Sequence, residues 1–588
     1  MCGIAGIFSY QMRAPVAPVQ QMLDVIASRG PEGEGIYAVD NVCLGHRRLK
    51  IIDLSQQGGQ PMVDSYLGLT LVFNGCIYNY RALRDQLIAE GHSFFSHSDS
   101  EVILKAYAQW GEACLEKFNG MFALAIYQRD TGELFLARDR LGIKPLYYMN
   151  NSEGLVFAST LPALLQWPGL DKALDPIAIN QYISFRAMVT DSTPFKAIKK
   201  LPAGTCMKIN RQGMQSPQRY WQLQTGSLDI PLDDEQAWAD KLEQALFNSI
   251  RRRLEADVPV GVLLSGGVDS SLIVGLLSKL GQKDIHTFSI GFDAEAEEKG
   301  NEFQYSDLIA KHFNTRHNKI FASHDMLLDA LPDCVLAMSE PMVSHDVIGF
   351  YLLSREVSQH VKVVQSGQGA DEVFGGYHWY PPMVDVPEDQ AAKAYADAYF
   401  SWNFKDYQQL MHSSLLDKDY ATDFVREYFQ QAQANTSIDK TLLLDTEVML
   451  VDDPVKRVDN MTMAFGLEAR VPFLDHELVE LAFTIPHSLK LKAGGKYLLK
   501  QVARRHIPSE VIDRPKGYFP VPALRSMQGA YLALAKEVFQ QPAAQQRKLF
   551  NLNYINGMLA HPEQYKTPFG SKLWQVTLLE LWLQTHGV

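Results

Sequence analysis

Three short stretches carry residues able to do chemistry. The chain begins Met1-Cys2-Gly3-Ile4-Ala5-Gly6-Ile7-Phe8, with a reactive thiol one residue from an end, where chains usually fray. Two readings stand on the residues alone: a small cysteine in a buried first strand, or a terminus that is itself the nucleophile. The second stretch is Ser265-Gly266-Gly267-Val268-Asp269-Ser270-Ser271, between apolar residues 261–264 and a helix-like run. Its glycines let the backbone approach a ligand, and a helix start offers free N–H groups to an anion. No lysine stands where a Walker A loop needs one. Asp269 puts a carboxylate where phosphates would sit, which makes sense with Mg²⁺ between them. The competing reading is a plain strand–helix turn that needs glycines for space. The third stretch, VVQSGQGADEVFGGY, repeats the pattern. Ser366 and Gly367 end a strand, Gly369 permits close approach, and Asp371 and Glu372 open a helix. Such acids are often only partners of the helix dipole. Facing Asp269 across a sheet crevice, Asp371 is a candidate second Mg²⁺ ligand.

The elements around these stretches divide the chain. Up to about residue 205, short apolar runs separated by Gly, Pro and polar clusters read as strands: CGIAGIF, NVCLGHRRLKIID, LTLVFN, MFALAIYQ, GELFLARD and LVFAST. MFALAIY has the continuous apolar character of a strand buried on both faces. Helices are expected at 17–28 and 99–110, the latter with Asp99 and Ser100 in capping positions. Residues 210–234 are polar and turn-rich and read as a linker. Beyond it, strand, Gly-rich turn and helix alternate, which predicts a parallel sheet with helices on both faces. The expected domains are therefore 1–209 and 235–588.

Length and composition bound the rest. A chain of 588 residues with 46% hydrophobic and 21% charged residues is too long for one core and ordinary for a globular protein. A net charge of −12 argues against nucleic acid or an anionic membrane surface as the partner. The six cysteines form no CxxC pair, which fits a reducing compartment and argues against structural zinc. No signal peptide and no spanning segment is evident, so a cytoplasmic location is expected.

Taken together, the motifs resemble known families. SGGVDSS is similar to the signature of ATP pyrophosphatases, MCGIAGIF with NGCIYNY resembles class II glutamine amidotransferases, and DDPVKRVDNMTMAFGLEARVPFLD resembles the C-terminal block of glutamine-dependent asparagine synthetases. The resemblance covers essentially the whole chain. It implies an N-terminal Ntn-hydrolase αββα sandwich and a C-terminal α/β domain of the PP-loop type with many helices. It also implies ATP and Mg²⁺ as cofactors, and glutamine, ATP and a carboxylate acceptor as small-molecule partners. A homodimer is left open.

Loss of Met1 would free the α-amine of Cys2, whose pKa of about 8 suits a general base. Nucleophile and base would then be one residue. The glutaminase resemblance implies that Arg48 pairs with the α-carboxylate of glutamine. Asn74 and the N–H of Gly75 would form an oxyanion hole, and Asp99 would hold the α-amine. One departure stands out: Cys76 occupies the place of the usual Glu, which puts more of the recognition on Asp99. In the second half the pattern implies that Leu264, Ser289, Ile290, Ser366 and Gly367 frame the adenosine, beside the Ser265–Ser271 turn. Lys496 would neutralise charge, while Arg514 and Lys516 would meet pyrophosphate or the acceptor.

The acceptor is the second departure. Asparagine synthetases normally read SGEGxDE, and here Gln368 replaces the Glu. The stretches NEFQYSDLIAKHF, AMSEPMVSHDVIGFYLLSREV and RPKGYFPVPALR instead resemble the N-acetylglutaminylglutamine amidotransferase branch, which makes a dipeptide amide osmoprotectant. Glu340, Gln368 and Tyr377 are the expected acceptor residues, with the aromatic Trp379 and Tyr380 beside Tyr377. The alternatives are an asparagine synthetase acting on aspartate and a non-catalytic nucleotide-sensing scaffold.

Overall fold

The structure is a computed structural model that describes residues 2–11, 13–293, 302–344, 346–415, 418–514 and 527–588. Its first part is built from two antiparallel sheets. One runs in the spatial order Ile198–Lys200, Tyr147–Asn150, Gly154–Ala158, Gly3–Ser9, Val42–Arg47, Glu34–Val39. The other runs Gly213–Met214, Thr205–Asn210, Glu133–Arg138, Gly120–Gln128, Leu69–Ile77, Met62–Asp64.

The two-residue period of each strand divides its side chains between layers. Ile4 and Phe8 pack with Val72, Ala123 and Leu136 between the sheets. Ala5 and Ile7 turn the other way, onto Val19, Met22 and Leu23 of the helix Val16–Val25. On the far side, Leu71 and Phe73 pack with Leu83, Leu87, Val102 and Ile103 of the helices Tyr80–Ala89 and Asp99–Trp110. The layers are helix, sheet, sheet, helix, the expected αββα sandwich. The apolar run 121–127 is accounted for as well. Phe122, Leu124 and Ile126 face the helices while Ala123, Ala125 and Tyr127 face the other sheet.

Two local expectations need correcting. The cap of Asp99–Trp110 is Ser98, whose side chain accepts from Glu101 N–H at 3.3 Å, so Asp99 and Ser100 lie inside the first turn. The chain also stays with the sandwich beyond residue 209. Gly213–Met214 and Gln218–Arg219 both pair with Thr205–Asn210, so the first part of the expected linker belongs to the sheet.

After the helix Glu235–Arg252, a five-stranded parallel sheet forms in the order Arg316–Ala322, His286–Phe292, Val260–Leu263, Val363–Gln365, Glu468–Arg470. The chain enters at the centre, builds outward to one edge, and returns to build the other. The order therefore reverses beside Val260–Leu263, where loops at the carboxyl ends part to leave a crevice. Both edge strands escape the sequence pattern. RHNKIFA is half polar, and Glu468–Arg470 is three residues long, too short to show a period.

Candidate functional site

Two cavities gather the chemistry. The first lies in the sandwich. Gly3–Ser9 is buried along its length and anchors Cys2 at the strand's beginning, where Cys2 is 8% exposed. The Cys2 N–H donates to Asn74 Oδ1 at 3.2 Å, and the Cys2 carbonyl accepts from Arg29 Nε at 3.2 Å. Among the described residues Asn74 Nδ2 is buried with no hydrogen-bond partner. An unpaired amide donor is costly inside a protein, so this one is available to an oxygen that arrives with a ligand.

Arg48 is held from behind. Its guanidinium donates to the carbonyl of Ser55 at 2.7 Å and to the carbonyl of Asp53. Asp99 accepts from Ile77 N–H at 3.0 Å, and burial pushes its pKa up to about 7. Burial also raises the Cys2 thiol, so attack at neutral pH requires a base to take its proton. Cys76 is buried, with its thiol raised by burial and its sulfur 3.7 Å from Arg470 Nη2, a cation and not a base.

Cys2, Arg48, Gly75, Cys76 and Asp99 line one cavity of about 30 Å³. Two further residues on its wall, Glu468 and Arg470, were not expected there. They come from the edge strand of the parallel sheet. The only signal in the sequence was the EAR triplet, which sits inside a block whose resemblance pointed to the other domain.

The second cavity, of about 400 Å³, lies at the carboxyl ends of the parallel strands where their order reverses. Leu264, Ser265, Gly267, Asp269, Ser270, Ser289, Ile290, Ser366 and Gly367 all line it. The turn is tied internally. Gly267 N–H donates to Ser265 Oγ and Ser265 N–H to Ser270 Oγ, both at 3.2 Å. Gly266 has φ +76°, and a Cβ there would lie 2.8 Å from Ser306 N, so it backs onto the helix Phe303–His312 and away from the cavity. Ser271 is fully buried and does not line the cavity either.

Asp269 and Asp371 converge on one cation. Lys496 Nζ lies 2.7 Å from Asp269 and 2.8 Å from Asp371. Burial opposes the charge on Lys496, but the two carboxylates outweigh it and raise its pKa. A pair of converging carboxylates fits a hard divalent cation that shares phosphate oxygens. Among the described residues no cluster of three or more His, Cys, Asp or Glu side chains could hold a metal. The remaining ligands of Mg²⁺ would be phosphate and water.

The other expected residues divide. Gln368 lines the cavity. Arg514 lines it too, and pairs through two nitrogens with Glu302 at 2.5 and 2.8 Å. Lys516 lies outside the described residues. Tyr377 does not line the cavity. It stacks on Trp379 with centroids 4.1 Å apart and donates to Glu372 at 2.7 Å. Glu340 is not at the site at all. It is 1% exposed and bridges two buried lysines, Lys456 and, at 3.8 Å, Lys200.

A sandwich with a buried cysteine hydrogen-bonded to Asn74, joined to a parallel sheet with a glycine-rich strand–helix turn, has the architecture of a glutamine amidotransferase coupled to an ATP-using synthetase. Comparison with known proteins agrees in both halves. Residues 1–221 match the glutamine amidotransferase domain family and residues 241–584 match the asparagine synthase family. The chain belongs to the asparagine synthase family. It is 30% identical to asparagine synthetase 1 (glutamine-hydrolysing) of Bacillus subtilis over 99% of this chain and 96% of that protein. It is 32% identical to asparagine synthetase 3 of the same organism, covering 88% and 87% of the two chains. Asparagine synthetase B of Escherichia coli is 28% identical, over 88% and 82%. The chain is a glutamine-hydrolysing amidotransferase, a carbon–nitrogen ligase that uses ATP and releases AMP and pyrophosphate.

Proposed function

We propose that the acceptor is the C-terminal carboxylate of N-acetylglutaminylglutamine, which the enzyme converts to the amide. The observation that carries this reading is Gln368 on the wall of the nucleotide cavity, together with Asp371 and Lys496. A neutral amide there cannot act as a base or balance an ammonium group, as an aspartate acceptor would require. It can exchange hydrogen bonds with an amide-rich dipeptide.

In the sandwich, the Cys2 thiol attacks the side-chain carbonyl carbon of glutamine and forms a thioester as ammonia leaves, and water then cleaves the thioester to release glutamate and free the thiol. The α-amine of Cys2 takes the thiol proton and delivers it to the departing nitrogen. Asn74 Nδ2 and Gly75 N–H receive the oxyanion, Arg48 the α-carboxylate and Asp99 the α-ammonium. In the second domain, an oxygen of the acceptor carboxylate attacks the α-phosphorus of ATP, and pyrophosphate leaves. Ammonia then attacks the acyl carbon, and AMP leaves. The turn from Ser265 to Ser270 offers N–H groups to the phosphates, while Lys496 faces the negative charge that builds on the leaving groups. Asp269 and Asp371 would hold Mg²⁺, which neutralises phosphate charge.

The test is a substrate comparison. With glutamine and ATP supplied, the dipeptide should yield equal amounts of AMP and dipeptide amide, and aspartate should yield neither. Release of asparagine with no dipeptide amide would overturn the assignment of the acceptor.

A further inference from the structure

We propose that the glutamine site is completed by the synthetase domain: the Glu468 carboxylate receives the α-ammonium of glutamine together with Asp99. The proposal rests on reading the cavity at Cys2 as the glutamine site.

Glu468 lies on an edge strand that contributes no other chemistry, yet it and Arg470 form part of the cavity wall opposite residues of the sandwich. Glu468 is 1% exposed and Arg470 fully buried. A buried carboxylate is costly unless it is paired and held. Arg470 does the holding: its Nε donates to Glu468 Oε1 at 2.6 Å. The rest of the guanidinium is committed to the protein. Nη1 donates to the carbonyls of Arg253 at 3.0 Å and Glu255 at 2.8 Å, and Nη2 faces the Cys76 sulfur. Arg470 is therefore a positioning residue and does not compete with Arg48 for the substrate carboxylate.

The charges of the pocket explain why a second carboxylate is needed. Glutamine brings one ammonium and one carboxylate. Arg48 answers the carboxylate. Asp99 alone would be about half protonated near neutral pH, since burial pushes it up to about 7. Glu468 differs: burial works against its charge, but Arg470 holds it below the usual carboxylate range. It is ionised throughout the working range. Its charge raises Cys2, Cys76 and Asp99 alike, as a neighbour of all three would. Cys76 is neutral and leaves this wall to Glu468.

The test uses the full-length enzyme and reads KM apart from kcat. Glu468→Gln keeps the shape and the oxygen that accepts from Arg470, and removes only the charge. KM for glutamine should rise about tenfold, the worth of one charge-assisted contact, while kcat changes less than about twofold. Hydrolysis of 5-amino-5-oxopentanoate, which is glutamine without its α-amine, should be unaffected. Cys76→Glu placed on Glu468→Gln should recover much of the lost affinity. If Glu468→Gln is insoluble, Glu468→Asp serves on the same readouts, with a smaller rise in KM for glutamine alone. An unchanged KM for glutamine would overturn the proposal. So would an equal loss with the desamino substrate, which would mark a purely structural ion pair. A Cys2→Ala control separates the two levels: if it still hydrolyses glutamine, the reading of the cavity itself fails.

Discussion

Around Cys2, charged side chains from both halves of the chain enclose a cavity of about 30 Å³, whereas the cavity between Asp269 and Lys496 measures about 400 Å³. Both must handle buried charge, and they do so differently. In the larger cavity Lys496 lies against both Asp269 and Asp371, and all three come from one domain. In the smaller one Arg48 is held by backbone carbonyls, Asp99 by one backbone N–H and Glu468 by an arginine of its own strand. The larger cavity is thus lined from one domain. The smaller cavity is lined from both the sandwich and the parallel sheet. The same boundary carries Arg29 and Lys144, which pair with Asp459 at 2.9 and 3.1 Å, and Lys200, which pairs with Asp452 at 2.6 Å.

This contrast can be broken in several ways. The largest effect is expected from Cys2→Ala, which should cut glutamine hydrolysis by about 1000-fold or more. Pyrophosphate release with added ammonium chloride should persist, because the larger cavity has all its residues in the other domain. If both activities fell together, the two sites would not be separable. Next comes Glu340→Ala. It leaves the buried Lys456 and Lys200 with Asp452 as a shared carboxylate, two cations against one anion, and should cost about 3–5 kcal/mol of stability. Thermal unfolding would register this, and a change in acceptor KM at unchanged melting temperature would return Glu340 to the acceptor site.

Lys496→Met removes the cation between Asp269 and Asp371. Acceptor-dependent pyrophosphate release should fall about 100- to 1000-fold. Glutamine hydrolysis measured alone should fall far less. Loss of both to the same extent would contradict the division of labour between the cavities.

The smallest effect is one of pH. Glutamine's ammonium favours ionised Asp99, whose pKa is pushed up to about 7, so affinity should fall as pH drops through that value. Calorimetric titration of the Cys2→Ala variant with glutamine should give a Kd that rises by up to about tenfold between pH 8 and pH 6. It should then level off, because Glu468 stays ionised. A continued tenfold rise per unit below pH 6 would show Asp99 to be the sole carboxylate of the site.

Much of this was legible in the chain. The strand Gly3–Ser9, the turn from Ser265 to Ser270 and the pair Asp269 and Asp371 all lie in contiguous motifs, where a few residues fix local geometry. Glu340 was misjudged because an acid in a polar-looking segment reads the same whether it meets a ligand or two buried lysines. Tyr377 likewise turned its ring onto Trp379 and its hydroxyl to Glu372. The first domain was expected to stop at residue 209 because two-residue strands such as Gly213–Met214 and Gln218–Arg219 leave no periodic trace.

The sequence by itself determined the chemical inventory. A cysteine one residue from the terminus, a glycine-rich turn that opens a helix, and acids at two helix starts are local features, set by backbone sterics and by N–H groups that point at an anion. Tertiary structure decided which charges share a cavity. Lys496 reaches Asp269 from 227 residues away, and Arg470 meets Cys76 across 394. Such pairings depend on how sheets stack and domains dock, and the cost of burying an unpaired charge selects among them. That is why the SGGVDSS motif spoke plainly in the sequence, while Glu468 became visible only in the folded chain.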